Sequence, residues 1–310
     1  MKRDPSVFFT TRVKAILAAL LVVILWSTSW ILIKIAITEV PPLTLAGLRY
    51  TLGFMVLTPF ILRNVKNGSE VIRIKKSQWL DLAILGIVYI ALTQGAMYIA
   101  LSKLSAVSTN LILHFSSAIV AISGIFFLHE KPTRMQWFGL IINISGIMIY
   151  FMPFQFESLA VIGYVAAIFC LLSNSLSVLL SRRINRDRKI SPLLVSWGSI
   201  GVGGIVLLVA GLIIQGLPYL SLQNIIIILW LGIVNTAMTF PLWNYSLQSL
   251  TAIESSLINS LLLIFITILA VIFLGEQLEW IDILGLSLAG LGTVLVQLNR
   301  SFGINRQNGI

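Results

Sequence analysis

Charged residues are scarce in this chain of 310 residues, where Asp, Glu, Lys and Arg together make up 10% of the sequence. A soluble domain carries about 25% charged and about 45–50% apolar residues. Here 58% of the residues are hydrophobic and the mean hydropathy is +0.99. This balance excludes an ordinary soluble domain and indicates that lipid is the main solvent.

Cysteine and catalytic motifs are also scarce. The one cysteine, Cys170, lies in an apolar run, which excludes an intrachain disulfide and a zinc site built from cysteines. The chain has no Walker-type phosphate loop, HExxH motif, GxSxG elbow or cysteine–histidine pair. We therefore expect no ATP hydrolysis within this chain, no enzymatic activity, no bound metal and no cofactor.

Long apolar runs account for nearly the whole sequence. A membrane-spanning helix needs about 20 mostly apolar residues, and a spanning β-barrel would instead show alternating segments of about 10 residues. Backbone polar groups in lipid must be satisfied within the element, so continuous runs predict helices. The predicted spans are 13–37, 43–62, 79–101, 104–128, 135–152, 159–181, 192–215, 223–247, 250–274 and 280–298.

Basic residues are concentrated in alternate loops. With ten spans, 18 of the 21 Lys and Arg residues lie on one side of the membrane, whereas Glu39, Glu157 and Glu276 lie on the other. The positive-inside rule then places both termini in the cytoplasm, in the cell (plasma or inner) membrane. The net charge of +10 is thereby explained by topology, and no nucleic-acid partner is expected.

The sequence contains an internal repeat. A shift of 146 positions places LGIV at Leu85–Val88 on LGIV at Leu231–Val234, and it places Glu130 on Glu276. The same shift places Gly139 on Gly285 and Gly146 on Gly292. Each half holds five predicted spans, an odd number, so the second half is inverted. The sequence therefore predicts an all-α integral membrane protein of ten transmembrane helices, with inverted five-helix repeats at 1–152 and 153–310 around a central cavity.

Three motifs stand out in the predicted helices. They are LWSTSWILIK at Leu25–Lys34, PPLTLAGLRY at Pro41–Tyr50, and in each half an apolar helix followed by a glutamate and a glycine-bearing helix. These motifs resemble those of the EamA-like transporters of the drug/metabolite transporter superfamily. The resemblance implies a cavity surrounded by helices 1, 3, 4, 6, 8 and 9 and the export or exchange of small metabolites, often amino acids. One departure concerns a proline that many members carry 13 residues before each glutamate, because Ser117 and Leu263 occupy those positions here.

Polar residues within the predicted spans are candidates for the cavity wall, since polar groups in a membrane tend to face a cavity or a partner. Gly95 in helix 3 and the matching Pro241 in helix 8 interrupt their helices and are hinge candidates, with a plain packing kink as the alternative. The substrate-cavity candidates are Trp26, Ser27, Trp30, Gln94, Tyr98, Asn110, His114, Asn174, Asn235, Trp243, Asn244 and Asn259. The alternative for each is packing or hydrogen bonding between helices.

The ionisable residues allow two interpretations each. His114 could relay a proton or could be a neutral histidine bonded within the bundle. Arg49 is expected to snorkel to the outer face, with attraction of an acidic substrate group as the alternative. The same two interpretations apply to Lys34. Glu254 is interpreted as an interfacial carboxylate, with a role in proton coupling as the alternative. Glu130 and Glu276 are interpreted as structural groups at helix ends that cap a neighbouring backbone or pair with basic residues.

The sequence thus favours a secondary transporter that exports small organic metabolites such as amino acids by alternating access. A lipid-handling protein or flippase of the same architecture is the first alternative and predicts a basic cavity open sideways to lipid. A membrane enzyme or scaffold is the second. No deeply placed carboxylate stands out, so protons are only one option for coupling beside facilitated exchange, and the substrate and the oligomeric state stay open.

Overall fold

A computed structural model describes residues 5–66, 74–116, 119, 133–152, 160–186, 190–250 and 252–307. Regular secondary structure in these ranges is helical, and they contain no strand. We number the helices in chain order: α1 (Pro5–Ala36), α2 (Pro42–Lys66), α3 (Lys76–Lys103), α4 (Ala106–His114), α5 (Arg134–Tyr150), α6 (Ala160–Arg186), α7 (Pro192–Gln215), α8 (Leu222–Ser249), α9 (Ala252–Leu269, continued by the π-helical turn Ala270–Leu274) and α10 (Trp280–Gln307).

Seven of these helices are long and apolar enough to cross a membrane within the described ranges, and two shorter apolar helices, Trp137–Tyr150 and Trp280–Leu295, lie in α5 and α10. The predicted fourth span, 104–128, is described mainly over α4, and most of its second half lies outside the described residues. The structure therefore has several apolar helices of spanning length, as expected for a multi-pass membrane protein. The count of ten spans stays a prediction.

The helix ends follow from local sequence. Ser105 and Ser221 precede α4 and α8, and their hydroxyls accept hydrogen bonds from the backbone amides of Ser108 (3.0 Å) and Asn224 (3.3 Å). Serine favours this capping position because it satisfies an amide that has no partner within the helix. The turn after α9 contains Gly275 at φ 65°, a left-handed conformation that glycine adopts without a steric penalty.

Helices α3 and α8 each contain a π-helical stretch, Gly86–Gln94 and Ile233–Met238. A shift of 146 places the second stretch inside the first. The hydroxyls of Thr93 and Thr236 donate to carbonyls five residues earlier, Val88 and Leu231, both at 2.8 Å. The two halves of the chain therefore carry the same helical irregularity at matching positions.

The interruption expected at Gly95 and Pro241 is displaced in the structure. Helix α3 continues through Gly95, which has α-helical dihedral angles, and α8 continues through Pro241. The irregular stretch precedes each residue instead. At Pro241 the physical reason is that proline has no amide hydrogen to donate to the preceding turn, so the bonding pattern must change there. Their role as hinges stays a prediction.

Ser117 and Leu263 occupy the two positions at which many family members carry a proline. Ser117 lies outside the described residues. Leu263 is buried in the regular part of α9, at 4% exposure, and the π-helical turn Ala270–Leu274 follows it. An irregularity in α9 is thus present without a proline, several residues nearer to its C-terminal end.

Helices of one half of the chain pack against helices of the other half, and each of these contacts has a counterpart in which the two halves are exchanged. Helix α1 packs against α8 and α9, and α6 packs against α3 and α4. Likewise α2 contacts α8, and α7 contacts α3. Two further pairs, α2 with α7 and α5 with α10, join each helix to its counterpart five helices later.

The pair α5 and α10 is held together by close approach of the two backbones. A Cβ atom added to Gly146 would lie 2.6 Å from the carbonyl oxygen of Gly285, and one added to Gly292 would lie 2.5 Å from that of Gly139. The Asn143 side chain adds a hydrogen bond of 2.7 Å to the carbonyl of Ala289. Small residues allow such contacts where lipid provides no hydrophobic force between helices.

Candidate functional site

Arg49 of α2 is the most unusual group in the described structure, because it is a cation buried to 2% exposure in an apolar helix bundle. Its Nε donates to the hydroxyl of Thr236 at 2.9 Å, and Nη2 donates to the carbonyl of Asn235 at 3.0 Å. Its Nη1 donates to the Tyr98 hydroxyl at 3.2 Å, and its Cζ lies 5.0 Å from the centre of the Tyr50 ring. The guanidinium therefore joins α2 to α3 and α8.

The expectation that Arg49 snorkels to the outer face is wrong. Snorkelling requires the charged end of the side chain to reach water, but this guanidinium is enclosed by neutral acceptors and a tyrosine ring. Burial of the whole side chain could not be predicted from its position near the start of α2, because the acceptors come from residues far along the chain.

Trp26 and Asn235 join α1 to α8. The indole nitrogen of Trp26 donates to the Thr239 hydroxyl at 3.0 Å. The fully buried Asn235 side chain donates to the carbonyl of Leu25 and more weakly, at 3.4 Å, to the hydroxyl of Thr28. Its side-chain oxygen has no hydrogen-bond partner within the described part of the chain. Both candidates therefore lie at the crossing of α1 and α8, beside the partners of Arg49.

An aromatic cluster adjoins this crossing. The Phe240 ring lies 5.6 Å from Trp26, 6.0 Å from Tyr50 and 5.7 Å from Tyr89, measured between ring centroids. The Trp243 ring lies 5.3 Å from Trp26. Sequence reasoning did not single out Phe240 or Tyr89. The π-helical stretch of α8 ends just before Phe240, and that stretch has no signature in the sequence apart from Pro241.

A second polar cluster joins α6, α7 and α8. The Asn244 amide donates to the hydroxyl of Ser196 at 2.9 Å and accepts from the Asn185 amide at 2.8 Å. Asn244 is buried to 6% exposure, and its amide is bonded on both sides. The side chain of Asn244 therefore joins neighbouring helices. It lies eight residues after Thr236, the residue of α8 that binds Arg49.

Helices α4 and α9 meet at two other candidates. Asn110 donates to the carbonyl of Leu262 at 3.4 Å, and the imidazole of His114 hydrogen-bonds to the backbone of Ser260. A shift of 146 places His114 on Ser260, so the contact joins equivalent positions of the two halves. His114 is 8% exposed. This environment favours the interpretation of a histidine bonded within the bundle.

Three amide candidates remain without a partner in the bundle. Gln94 in α3, Asn174 in α6 and Asn259 in α9 are partly exposed, and their side chains make no hydrogen bond to another described residue. By contrast Ser27 is fully buried and donates to the carbonyl of Val23 in its own helix, and Trp30 is buried in the apolar core. The free amides are the candidates best suited to line a cavity, since a polar group in a membrane needs water or a ligand.

Lys34 and Glu276 hold the connection between α3 and α4. Lys34 Nζ donates to the carbonyls of Leu101 (2.7 Å) and Leu104 (2.6 Å) at the end of α3. The Glu276 carboxylate accepts from the amides of Ala106 (2.6 Å) and Val107 (3.2 Å) at the start of α4. The structural interpretation of Glu276 is thus confirmed. Lys34 is partly exposed and binds carbonyls at a helix end. Glu130 lies outside the described residues.

At the other end of the bundle Glu254 forms an ion pair with Arg12. The pair joins the beginning of α1 to the beginning of α9. The Arg12 side chain is half exposed, as expected at the boundary between membrane and water. The interpretation of Glu254 as an interfacial carboxylate is therefore supported by the contact that it makes.

A groove of about 580 Å³ lies on the side of the bundle between α3, α6 and α7. Apolar side chains line it, among them Leu92, Val165 and Phe169, which are exposed on the flank of the bundle. Gly95 is the one site or hinge candidate in its wall, and neither Lys34 nor Arg49 belongs to it. The groove offers a surface for apolar chains and no group for an acidic headgroup.

The described residues hold no group of three or more His, Cys, Asp or Glu side chains that could bind a metal ion. What the site offers instead is a buried cation, neutral hydrogen-bonding groups and aromatic rings between apolar helices that are long enough to span a membrane. The apolar helices of spanning length are those of a multi-pass membrane protein.

Comparisons with known proteins identify the class. The sequence model of the EamA-like transporter family matches residues 13–152 and again residues 161–298. The chain belongs to the EamA-like transporter family, and it is a membrane transporter.

Several proteins that are named as transporters or efflux pumps are similar to this chain over most of their length. The "Uncharacterized transporter YoaV" of Bacillus subtilis is 25% identical over 88% of this chain and 93% of that protein. The "Probable amino-acid metabolite efflux pump" of Salmonella typhimurium is 23% identical over 88% of this chain and 92% of the relative. Its namesake in Escherichia coli is 22% identical over 86% and 89%, respectively.

A solved crystal structure shares the fold. It aligns with a TM-score of 0.68 over 95% of this chain and 99% of the other chain, at 19% sequence identity. At this identity the likeness concerns the fold alone.

Proposed function

We propose that this protein is a secondary transporter that exports small organic metabolites, with amino acids as the first class to test. The observation that carries the proposal is the double match of the transporter family, once in each half of the chain. Two relatives of nearly full coverage are named as amino-acid metabolite efflux pumps, which supports amino acids as the substrate class.

The mechanism we propose is alternating access between two inverted repeats, residues 1–152 and 153–310. Support comes from packing partners that exchange between the halves, from π-helical stretches at matching positions of α3 and α8, and from the paired glycine contacts of α5 and α10. In such transporters one repeat rocks against the other around a site at their interface. The helix crossings that hold Arg49, Asn235 and Trp26 join the two halves, and we assign the substrate path to them.

In this proposal the protein lies in the cell membrane with both termini in the cytoplasm. The contacts at the helix ends fit this topology. Gln215 at the end of α7 accepts from the backbone of Leu43 at the start of α2 (2.8 Å), and Glu39 accepts from Asn224 at the start of α8 (2.6 Å). These ends share the predicted outer face with Lys34 and Glu276, whereas Arg12 and Glu254 lie at the predicted inner face.

The experiment that tests the proposal is export from whole cells. Cells that express the protein and cells with an empty vector are loaded with dipeptides, and each released amino acid is quantified over time. We expect faster release of one class of amino acids from the expressing cells. Equal release of every amino acid from both cultures would contradict amino-acid export.

The alternative of a lipid-handling protein predicted a basic cavity open sideways to lipid. The lateral groove between α3, α6 and α7 is lined by apolar side chains, and the two basic residues that could have served this role are bonded elsewhere. These observations favour a metabolite over a lipid headgroup as the substrate.

A further inference from the structure

We propose that Arg49 is the anchor for the carboxylate of the transported substrate. This inference rests on the proposed function and names the chemical group that the site recognises. It starts from the charge of Arg49, which is buried to 2% exposure with no carboxylate in bonding distance among the described residues. A cation in the middle of a membrane protein is costly and marks a substrate or ion pathway by default.

The hydrogen bonds of Arg49 are incomplete. An arginine carries five N–H donors, and three of them are used, by Thr236, Asn235 and Tyr98. One N–H on each terminal nitrogen has no partner within the described structure. All three acceptors are neutral, so the charge itself stays uncompensated. A carboxylate supplies the missing negative charge, because it pairs with two N–H groups of a guanidinium in a bidentate geometry.

The fold does not require a cation at this position, as the second half of the chain shows. Gly53 of α2 faces Thr236 of α8, and Gly203 of α7 faces Ile90 of α3 in the same manner. Positions 90 and 236 differ by 146, as throughout the repeat, and positions 53 and 203 differ by 150. That spacing places Arg49 on Ser199.

Ser199 is neutral, and its hydroxyl donates to carbonyls of its own helix, at Val195 (2.7 Å) and Ser196 (3.3 Å). Equivalent packing of α7 on α3 therefore forms without a charge and without a polar bond between the helices from this residue. A role confined to helix packing would leave the charge of Arg49 unexplained.

The position of Arg49 also suits a group that exchanges partners during transport. Its bonds to Thr236 and Asn235 cross from the first half of the chain to the second, whereas its bond to Tyr98 stays within the first half. Both residues in the second half belong to the π-helical stretch of α8. When one repeat moves against the other, the crossing bonds break first, and a substrate carboxylate can replace the Thr236 hydroxyl and the Asn235 carbonyl on the same two nitrogens.

The test compares acids with their amides on purified protein in detergent. Thermal unfolding is followed in the presence of each proteinogenic amino acid and of its α-carboxamide, since a ligand that binds the folded state raises the unfolding temperature. The variants are Arg49→Gln and, as a matched loss of one positive charge at the exposed end of the same helix, Arg63→Gln.

We expect at least one amino acid to stabilise the wild type and Arg63→Gln, and its amide to have a smaller effect. Arg49→Gln should weaken the binding of that acid roughly tenfold to a hundredfold and bring it to the level of the amide, as expected for the loss of hydrogen bonds to a charged group. Equal responses of the wild type to acids and amides, or an unchanged preference in Arg49→Gln, would overturn the assignment.

Thr236→Val serves as a second variant in case Arg49→Gln does not fold. It keeps the methyl group that contacts Gly53 and removes the acceptor of Arg49 Nε. Since this acceptor competes with the substrate, the acid should bind Thr236→Val at least as tightly as it binds the wild type. A weaker response to the acid would contradict the exchange of partners.

The two proposals fail separately. Export of amino acids by cells, together with equal binding of acids and amides, would leave the transport function standing and remove Arg49 from the site. Stabilisation by carboxylates that depends on Arg49, without export of any amino acid, would support the anchor and overturn the proposed export.

Discussion

Individual polar residues in this protein divide into those bonded within the bundle and those left with unused hydrogen-bonding capacity. Lys34, Glu276 and Asn244 bind groups of neighbouring helices and explain themselves by the contacts they make. Gln94 makes no side-chain hydrogen bond to another described residue, and Arg49 uses three of its five N–H donors within the described structure. At the residue scale, an unused donor inside a membrane protein is the best indicator of where a ligand binds.

Replacement of Glu276 by alanine tests the capping role. The amides of Ala106 and Val107 at the start of α4 would lose a charged acceptor, so we expect a loss of about 0.5–2 kcal/mol in the free energy of unfolding. Thermal unfolding of the purified protein in detergent measures it. Glu279→Ala is the control, since this exposed carboxylate lies three residues away in the same loop. Equal losses in both variants would refute the cap.

Replacement of His114 by alanine separates its two interpretations. The imidazole bonds to the backbone of Ser260 across the α4–α9 contact, so its loss should lower the unfolding temperature. Export by each folded molecule should stay unchanged, as judged by efflux from dipeptide-loaded cells normalised to the amount of folded protein in the membrane. A selective loss of efflux at normal stability would instead place His114 in the transport path.

Among whole elements, the pair α5 and α10 differs from the rest because backbones meet there directly. Gly146 faces Gly285, and Gly292 faces Gly139, so a glycine of each helix meets one of the other at both contacts. These helices hold few candidates for the substrate path. Their contact joins the first half of the chain to the second.

Gly292→Ala tests this contact. The added Cβ atom would lie 2.3 Å from the backbone nitrogen of Asn143, and backbone atoms cannot move aside cheaply. We expect a destabilisation of about 1–3 kcal/mol, typical of overpacking. Gly290→Ala is the matched control on the same helix, because its Cβ would meet its nearest neighbour, Leu263 Cδ2, at 4.0 Å. The idea of a tight α5–α10 contact fails if both variants unfold at the wild-type temperature.

The extent to which the sequence predicts these elements depends on the range of the interactions. Apolar runs and flanking prolines, serines and glycines are local signals, so the approximate limits of the helices could be predicted. The π-helical stretches and the burial of Arg49 depend on contacts between residues almost 200 positions apart. The repeat pointed to Gly95 and Pro241, which lie next to the irregular stretches, but no local pattern distinguishes a π-helical stretch from a kink.

The same distinction applies to the site candidates. Trp26, Tyr98 and Asn235 were found because polar or large aromatic groups within a span are rare, and the structure places them at one helix crossing. Phe240 and Tyr89 were missed because an aromatic residue in an apolar run is ordinary. Only its neighbours in three dimensions make it part of a cluster.

At the scale of the whole molecule, the two halves exchange packing partners, which is the arrangement expected when an odd number of helices is repeated in opposite orientation. The sequence adds a second sign of this plan, since 18 of the 21 Lys and Arg residues fall on one side of the predicted ten-span topology.

The orientation can be measured by labelling with a membrane-impermeant maleimide on intact cells. Cys170 is buried and is first replaced by alanine. Single cysteines at Glu39 and Gln277 should then react from outside, whereas cysteines at Arg63 and Arg183 should react only after the membrane is permeabilised. The reverse pattern would invert the proposed topology, and reaction of all four in intact cells would exclude it.

The central claim, transport of amino acids by this chain alone, is tested most directly with the purified protein in liposomes. The vesicles are loaded with a mixture of amino acids, and the loss of each one from the lumen is followed by mass spectrometry against protein-free vesicles. We expect faster loss of a subset of amino acids through the wild type and slower loss of that subset through Arg49→Gln. Identical loss of every amino acid from vesicles with and without the protein would contradict it.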